Sequence, residues 1–203
     1  MKTILTVILI FIAGQAFSQT MQENFENGKK SFYSDDFDGA NKYFMEILNS
    51  QSDDYLTHYY KGMVYVIYFD NEKAMTELTT AIRKKKSFGP AYFGRAELLE
   101  KTGDTAGAIA DYTAAIKHGE RSSDAYFNRA SLYQAAGQLE KAVKDFTKAI
   151  EINPSDDISY YNRGKIFMEL GEKNDAISDF ESAIAIDKAW EKELRELIKM
   201  LSN

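Results

Sequence analysis

The residues of this chain recur every 34 positions, and that period constrains the fold more than any single motif. Blocks at 21–54, 55–88, 89–122, 123–156 and 157–190 align without insertion or deletion. The block 123–156, SDAYFNRASLYQAAGQLEKAVKDFTKAIEINPSD, shows the unit: two short amphipathic helical stretches with a turn at Gly137. A helix pair of this size cannot bury its apolar face alone. Stacked pairs bury it against their neighbours, so the period predicts a repeat array.

Numbering each block from one, position eight is always small: Gly28, Gly62, Ala96, Ala130, Gly164. Position twenty is always alanine: Ala40, Ala74, Ala108, Ala142, Ala176. Small residues here let helix backbones approach closely, and a bulky side chain would cost ~1–3 kcal/mol through overpacking. Position twenty-four is large and apolar (Phe44, Leu78, Tyr112, Phe146, Phe180), position twenty-seven is Ile47, Ala81, Ala115, Ala149, Ala183, and position twenty-eight is Leu48, Ile82, Ile116, Ile150, Ile184. Positions 20, 24, 27 and 28 share one helical face, which is the expected core stripe of each second helix. Position eleven completes the stripe of the first helix with Tyr65, Leu99, Tyr133 and Phe167, and Ser31 in the first block.

Position fifteen closes the first helix. Gly103, Gly137 and Gly171 can take the left-handed conformation of a helix C-terminus there. Asp35 tolerates that geometry; Phe69 does so poorly, which predicts a different or longer turn in the second block and a tighter first helix. Continuing the grid past 190 puts Leu194, Leu197, Ile198 and Leu201 at positions four, seven, eight and eleven. Residues 191–201 therefore read as a capping helix with a charged outer face, and Trp190 as packing at the junction. No long linker interrupts 19–203, which reads as one domain.

The first residues follow another pattern. Lys2 precedes an apolar run, Ile4 to Ala13, and Ala16-Phe17-Ser18 places small residues where a signal peptidase reads. Residues 1–18 are expected to be a secretory signal peptide, cleaved to leave Gln19 first. The run falls well short of the roughly 20 residues that span a bilayer, so no membrane span is expected in the mature chain. The expected location is exported, periplasmic or extracellular. Cleavage removes Lys2 and takes the balance from −6 to −7, with 24 basic against 31 acidic residues. An acidic chain without a basic stripe argues against a nucleic-acid partner. Cysteine is absent, which excludes disulfides, a cysteine nucleophile and thiolate metal ligands.

A 34-residue helix–turn–helix with an aromatic at position four, small at eight, Gly at fifteen, Ala at twenty, aromatic at twenty-four and Ala at twenty-seven resembles the tetratricopeptide repeat. Residues 160–187, YYNRGKIFMELGEKNDAISDFESAIAID, match it best, and Pro154 ends the fourth block as the family's proline does. The resemblance covers 21–190. It implies an all-α fold: an α-solenoid, a right-handed superhelix of five helix–turn–helix repeats plus a C-terminal capping helix. The first block departs most, with Asn24 and Ser31 at aromatic positions; the second carries His58 and Phe69.

The resemblance also implies that first helices line a concave groove, with position five facing it. That column is Phe25, Tyr59, Phe93, Phe127 and Tyr161, aromatic throughout. Such a ladder suits a protein or peptide partner, since aromatics bury large area with few rotatable bonds. The same rings would also serve as packing between first helices. Asn128 and Asn162, at position six, could hold a peptide backbone through paired amide hydrogen bonds, or bond locally between helices. A lysine-based clamp for acidic chain ends is absent, because position five holds no lysine. Arg95, Arg129 and Arg163 at position seven (Lys61 in the second block) could pair with Asp111, Asp145 and Asp179 at position twenty-three; as surface ion pairs these would be worth ~0–1 kcal/mol each. An anion-binding stripe is the other reading of those arginines. Arg83-Lys84-Lys85-Lys86 reads as a solvated helix end that suits the helix dipole.

Catalysis finds no support. His58 and His118 lie in different blocks, and no phosphate loop, HExxH or GxSxG occurs. No catalytic residue, cofactor or metal is expected. The expected role is a non-catalytic scaffold for a protein or peptide partner; the alternative is a self-associating structural component of an envelope assembly, suggested by the weak first block.

Overall fold

The computed structural model describes residues 2–202, with side chains from Ala16 onward. Its helices are α1 Lys2–Tyr33, α2 Phe37–Leu48, α3 Tyr55–Ile67, α4 Asn71–Lys84, α5 Gly89–Lys101, α6 Thr105–Lys117, α7 Ser123–Ala135, α8 Leu139–Ile152, α9 Asp157–Leu170, α10 Lys173–Ile186 and α11 Glu191–Leu201, with a 3₁₀ turn at Lys188–Trp190. No strand occurs among the described residues. Each block yields two helices, and the grid predicted from the period holds through the last one. α1 runs unbroken from Lys2 through the first helix of block one. The side chains of 1–15, which carry most of the expected signal peptide, lie outside the described residues. Among the described residues no helix is long and apolar enough to cross a membrane.

Contacts divide the chain into two compact units, Met1–Leu98 and Leu99–Asn203. In the first, α1 packs on α2 and α3, and α3 on α4. In the second, neighbouring helices from α6 to α10 pack in sequence, and α11 covers α10.

Side-chain size explains the packing. All five position-twenty-four side chains are fully buried. Phe44, Leu78 and Phe180 each aim at the glycine at position eight of their own pair, and Phe146 packs with Ala130. A Cβ added to Gly28 would stand 2.3 Å from a ring carbon of Phe44, and one added to Gly164 would stand 2.8 Å from Phe180. The alanines at position twenty and the residues at twenty-seven are buried as expected. The first-helix stripe differs from expectation. Position eleven is only half-buried, whereas position ten (Val64, Leu98, Leu132, Ile166) is buried, together with position three (Thr57, Ala91, Ala125, Ser159). Positions three and ten lie seven residues apart, two turns along one face.

Aspartates start many of these helices. Asp36, Asp54, Asp70, Asp104 and Asp156 each accept a backbone N–H of the first turn, as does Ser122. Each such cap is worth about 1 kcal/mol. The turns within the pairs are alike. The N–H at position sixteen donates to the carbonyl at position eleven in all five: Asp36 to Ser31, Asp70 to Tyr65 and Asp104 to Leu99 at 2.9 Å, Gln138 to Tyr133 and Glu172 to Phe167 at 2.8 Å.

The second block therefore has the common turn, not the longer one expected from Phe69. Phe69 takes φ +58° and Asp35 φ +60°, beside Gly103, Gly137 and Gly171 at +69 to +84°. The backbone bond dictates the conformation, and Phe69 accepts it at a cost of roughly 1–2 kcal/mol for an L-residue in this region.

At the C-terminus Leu194 is fully buried against Ala176, Phe180, Ala183 and Ile184, with Trp190, Leu197, Ile198 and Leu201 around it. The capping role predicted for 191–201 is what the packing shows.

Candidate peptide-binding surface

Position five sits on every first helix, one turn before the small residue at eight. Its five rings do not share one environment. Phe25 is buried in the core, 5.4 Å from the Tyr60 ring and 6.4 Å from Phe44, so it lines no accessible surface. Tyr59, Phe93, Phe127 and Tyr161 are half-buried. Tyr59 packs edge-on against Phe88 at 5.2 Å, and Phe127 edge-on against Phe146 at 5.6 Å. Tyr161 is stacked beneath Trp190, with centroids 4.4 Å apart, and its hydroxyl donates to Glu193 at 3.3 Å. The capping helix thus leans on the last ring of the column. The sequence marks Trp190 as a junction residue, but not its stack on Tyr161.

The two asparagines separate as well. Asn128 Nδ2 donates to Tyr112 Oη at 3.1 Å, and that hydroxyl donates to Glu100 Oε2 at 2.9 Å. Asn128 therefore makes the local bond between helices. Asn162 is half-buried and makes no side-chain hydrogen bond among the described residues. The reason lies sixteen residues back. Asn128 meets the hydroxyl of Tyr112; the equivalent residue for Asn162 is Phe146, which has none. Asn162 keeps a donor and an acceptor at a site from which water is partly excluded.

The arginine column is a structural clamp of greater strength than a surface ladder. Arg163 Nε and Nη2 donate to the two Asp179 oxygens at 2.8 and 2.7 Å, and Nη1 donates to Thr147 Oγ1 at 2.8 Å. Arg129 repeats this with Asp145 at 2.6 and 2.8 Å and Thr113 at 3.0 Å. Arg95 Nη1 donates to Thr79 at 3.2 Å. Each arginine reaches back to the second helix of the preceding block. Sequence reasoning does not single out the threonine column at position twenty-five, although its recurrence is visible there. Asp145 and Asp179 are only 6% and 4% exposed, so these are not the surface pairs expected. Burial works against the guanidinium charge, but the Asp145 and Asp179 hydrogen bonds hold Arg129 and Arg163 above the ordinary arginine value. Arg163 also lies 5.7 Å from the Tyr160 and Phe167 centroids. Forks committed in this way suit structure, not anion capture.

The basic run ending α4 is also partly committed. Lys84 pairs with Asp53 at 2.7 Å, and Lys85 Nζ donates to Tyr55 Oη at 2.9 Å. The Lys84 hydrogen bond, followed by that of His58, pulls Asp53 down to about 2. His58 sits between Glu77 at 2.6 Å and Asp53 at 2.9 Å, tying α3 to α4 and to the preceding turn. Among the described residues no group of three or more His, Asp or Glu side chains converges as a metal site.

Comparison with known proteins agrees with this geometry. Family models described as tetratricopeptide repeat match residues 70–126, 123–156 and 146–178, together more than half of the chain. No curated protein matches. Among solved structures, 338 chains match, so the likeness identifies a fold and not a role. One, a crystal structure of MamA, is 22% identical with TM-score 0.67, covering 81% of this chain and 96% of its own. YrrB, titled a TPR protein with an unusual peptide-binding site, is 19% identical with TM-score 0.62, covering 81% and 85%. A thermophilic TPR protein of Thermus thermophilus is 14% identical with TM-score 0.60, covering 89% and 98%.

Proposed function

Because the chain belongs to the tetratricopeptide repeat family, we propose that it is a non-catalytic scaffold whose first helices grip an extended protein segment. Interaction with other proteins is the common use of this fold. The finer reading rests on Asn162: a half-buried amide with no hydrogen bond, on the helix that also presents Tyr161, in the repeat after Phe127. An amide held in that state can accept and donate to one peptide unit of a bound chain, while Phe127, in the preceding repeat of the same unit, supplies apolar contact. YrrB, by its title, carries a peptide site on the same fold, which supports the reading.

The test is cross-linking to envelope proteins followed by mass spectrometry. Phe127→Ala with Asn162→Ala is expected to abolish capture in a protein that remains folded by circular dichroism. Phe146→Tyr is a subtler probe: it would offer Asn162 the hydroxyl that Tyr112 offers Asn128, and weaken capture without truncating any side chain. Unchanged capture by both variants removes the groove assignment.

Location belongs to the same proposal. Lys2, the apolar run and Ala16-Phe17-Ser18 support export, with a periplasmic destination favoured by the Ser-Gln ending. N-terminal sequencing of the mature protein is expected to begin at Gln19. A start at Met1 overturns export by this route.

A further inference from the structure

We propose that the turn edge of the first two repeats is a second docking surface, shaped for a cationic segment of another protein. Tyr33 is 76% exposed, Phe37 58%, Tyr68 39% and Phe69 74%. They form one strip. Phe32 meets Tyr33 and Phe37 edge-on at 5.8 and 5.7 Å. Asn41 follows Phe37 one turn along α2, and its Oδ1 accepts the Tyr68 hydroxyl at 3.0 Å. Phe69 is next in the chain. All of these residues belong to the first unit.

The fold does not require this strip. At the place of Tyr33 the last three blocks carry Lys101, Ala135 and Glu169. At the place of Phe69 they carry glycine, in the same left-handed conformation. A large ring, 74% exposed at a left-handed position where the last three repeats carry glycine, presents an apolar face that an external contact can use.

Charge selects the occupant. Asp35, Asp38 and Glu72 neighbour the strip in the chain, with Lys30 and Lys42; Asp36 caps α2, and Asp70 and Lys73 pair with each other at 2.8 Å, which leaves the balance acidic. Aromatic faces beside carboxylates favour guanidinium and ammonium groups, through cation–π contact and charge-assisted hydrogen bonds. The same rim repels an anionic lipid surface and the like edge of a second copy. This surface is separate from the groove and does not depend on it.

The test uses the full mature chain and a short dye-labelled peptide of alternating Arg and Leu, read by fluorescence anisotropy. Tyr33→Ser with Phe69→Gly keeps every carboxylate, and is expected to weaken binding roughly tenfold or more while melting no lower than the parent. Asp35→Asn with Asp38→Asn should weaken it by roughly threefold or more at low salt. Phe127→Ala should leave it unchanged, and a Glu-for-Arg peptide should not bind. Binding that survives loss of the rings, or is lost with Phe127, overturns the proposal. So does ring-dependent binding of the protein to phosphatidylglycerol vesicles, or ring-dependent dimerisation by sedimentation equilibrium, since each names a different occupant.

Discussion

Phe146→Ala is expected to lower stability by about 3–5 kcal/mol in chemical denaturation, the range for emptying a fully buried aromatic site. The ring is completely inaccessible. It packs with Ala130 and Ala142 of its own helix pair and with Ile166 of the next, and Phe127 leans on it edge-on. The alanines cannot move in to fill the space, because their methyl groups are the close approach between backbones. The ring also joins two repeats, so its loss weakens an interface as well as a pair. Phe146→Leu is the control. Leu78 occupies the equivalent position in the second block, and a swap of this kind costs less than about 1.5 kcal/mol. Phe127→Ala, at a half-buried position, should fall near 1–2 kcal/mol, roughly half of a full burial effect. If Phe146→Ala and Phe127→Ala cost the same, the division between stacking columns and surface columns is wrong.

That division is only partly legible from the residues. Positions eight, twenty, twenty-four and twenty-seven are readable because small and large columns answer each other at a fixed spacing. The sequence points to position eleven instead of ten for a geometric reason. Neighbouring helix positions differ by about 100°, and both columns are apolar after the first block, so period alone does not choose between them. Position three escapes notice because Thr57, Ala91, Ala125 and Ser159 are small, and small residues carry little apolar signal; burying the Thr57 hydroxyl is made tolerable by its bond to Asp54 at 2.7 Å. Phe69 misleads because side-chain preference says nothing of the backbone bond from Asp70 to Tyr65 that fixes the turn. The candidate site is the least legible part. Phe25 and Phe127 are the same residue in the same column, yet one is core and one is half open. Asn128 and Asn162 differ through the hydroxyl of Tyr112, sixteen residues before Asn128, a comparison that needs the pairing of adjacent repeats to be known first.

Arg163→Ala should also cost about 3–5 kcal/mol, for a reason unrelated to apolar burial. Asp179 is 4% exposed and takes both of its strong hydrogen bonds from that guanidinium. Removing the arginine leaves a buried carboxylate uncompensated, which is the expensive way to break such a pair. It also frees Thr147 and separates the second helix of block four from the first helix of block five. Lysine cannot replace the fork, so Arg163→Lys should lose about 1–2 kcal/mol even though the charge stays. The double replacement Arg163→Met with Asp179→Leu removes both charges from the interior together, and is expected to lie within about 1–2 kcal/mol of the parent. A double-mutant cycle over Arg163 and Asp179 would then show a large coupling, because each single change strands its partner. The arrangement also decides between clamp and anion stripe. A clamp predicts that phosphate or sulfate raises the melting temperature of Arg163→Ala and the parent equally, by general salt effects alone. Selective protection of the parent, together with a loss below about 1 kcal/mol in Arg163→Ala, would return the column to the solvent-facing ion pairs and leave its guanidinium groups available to a ligand.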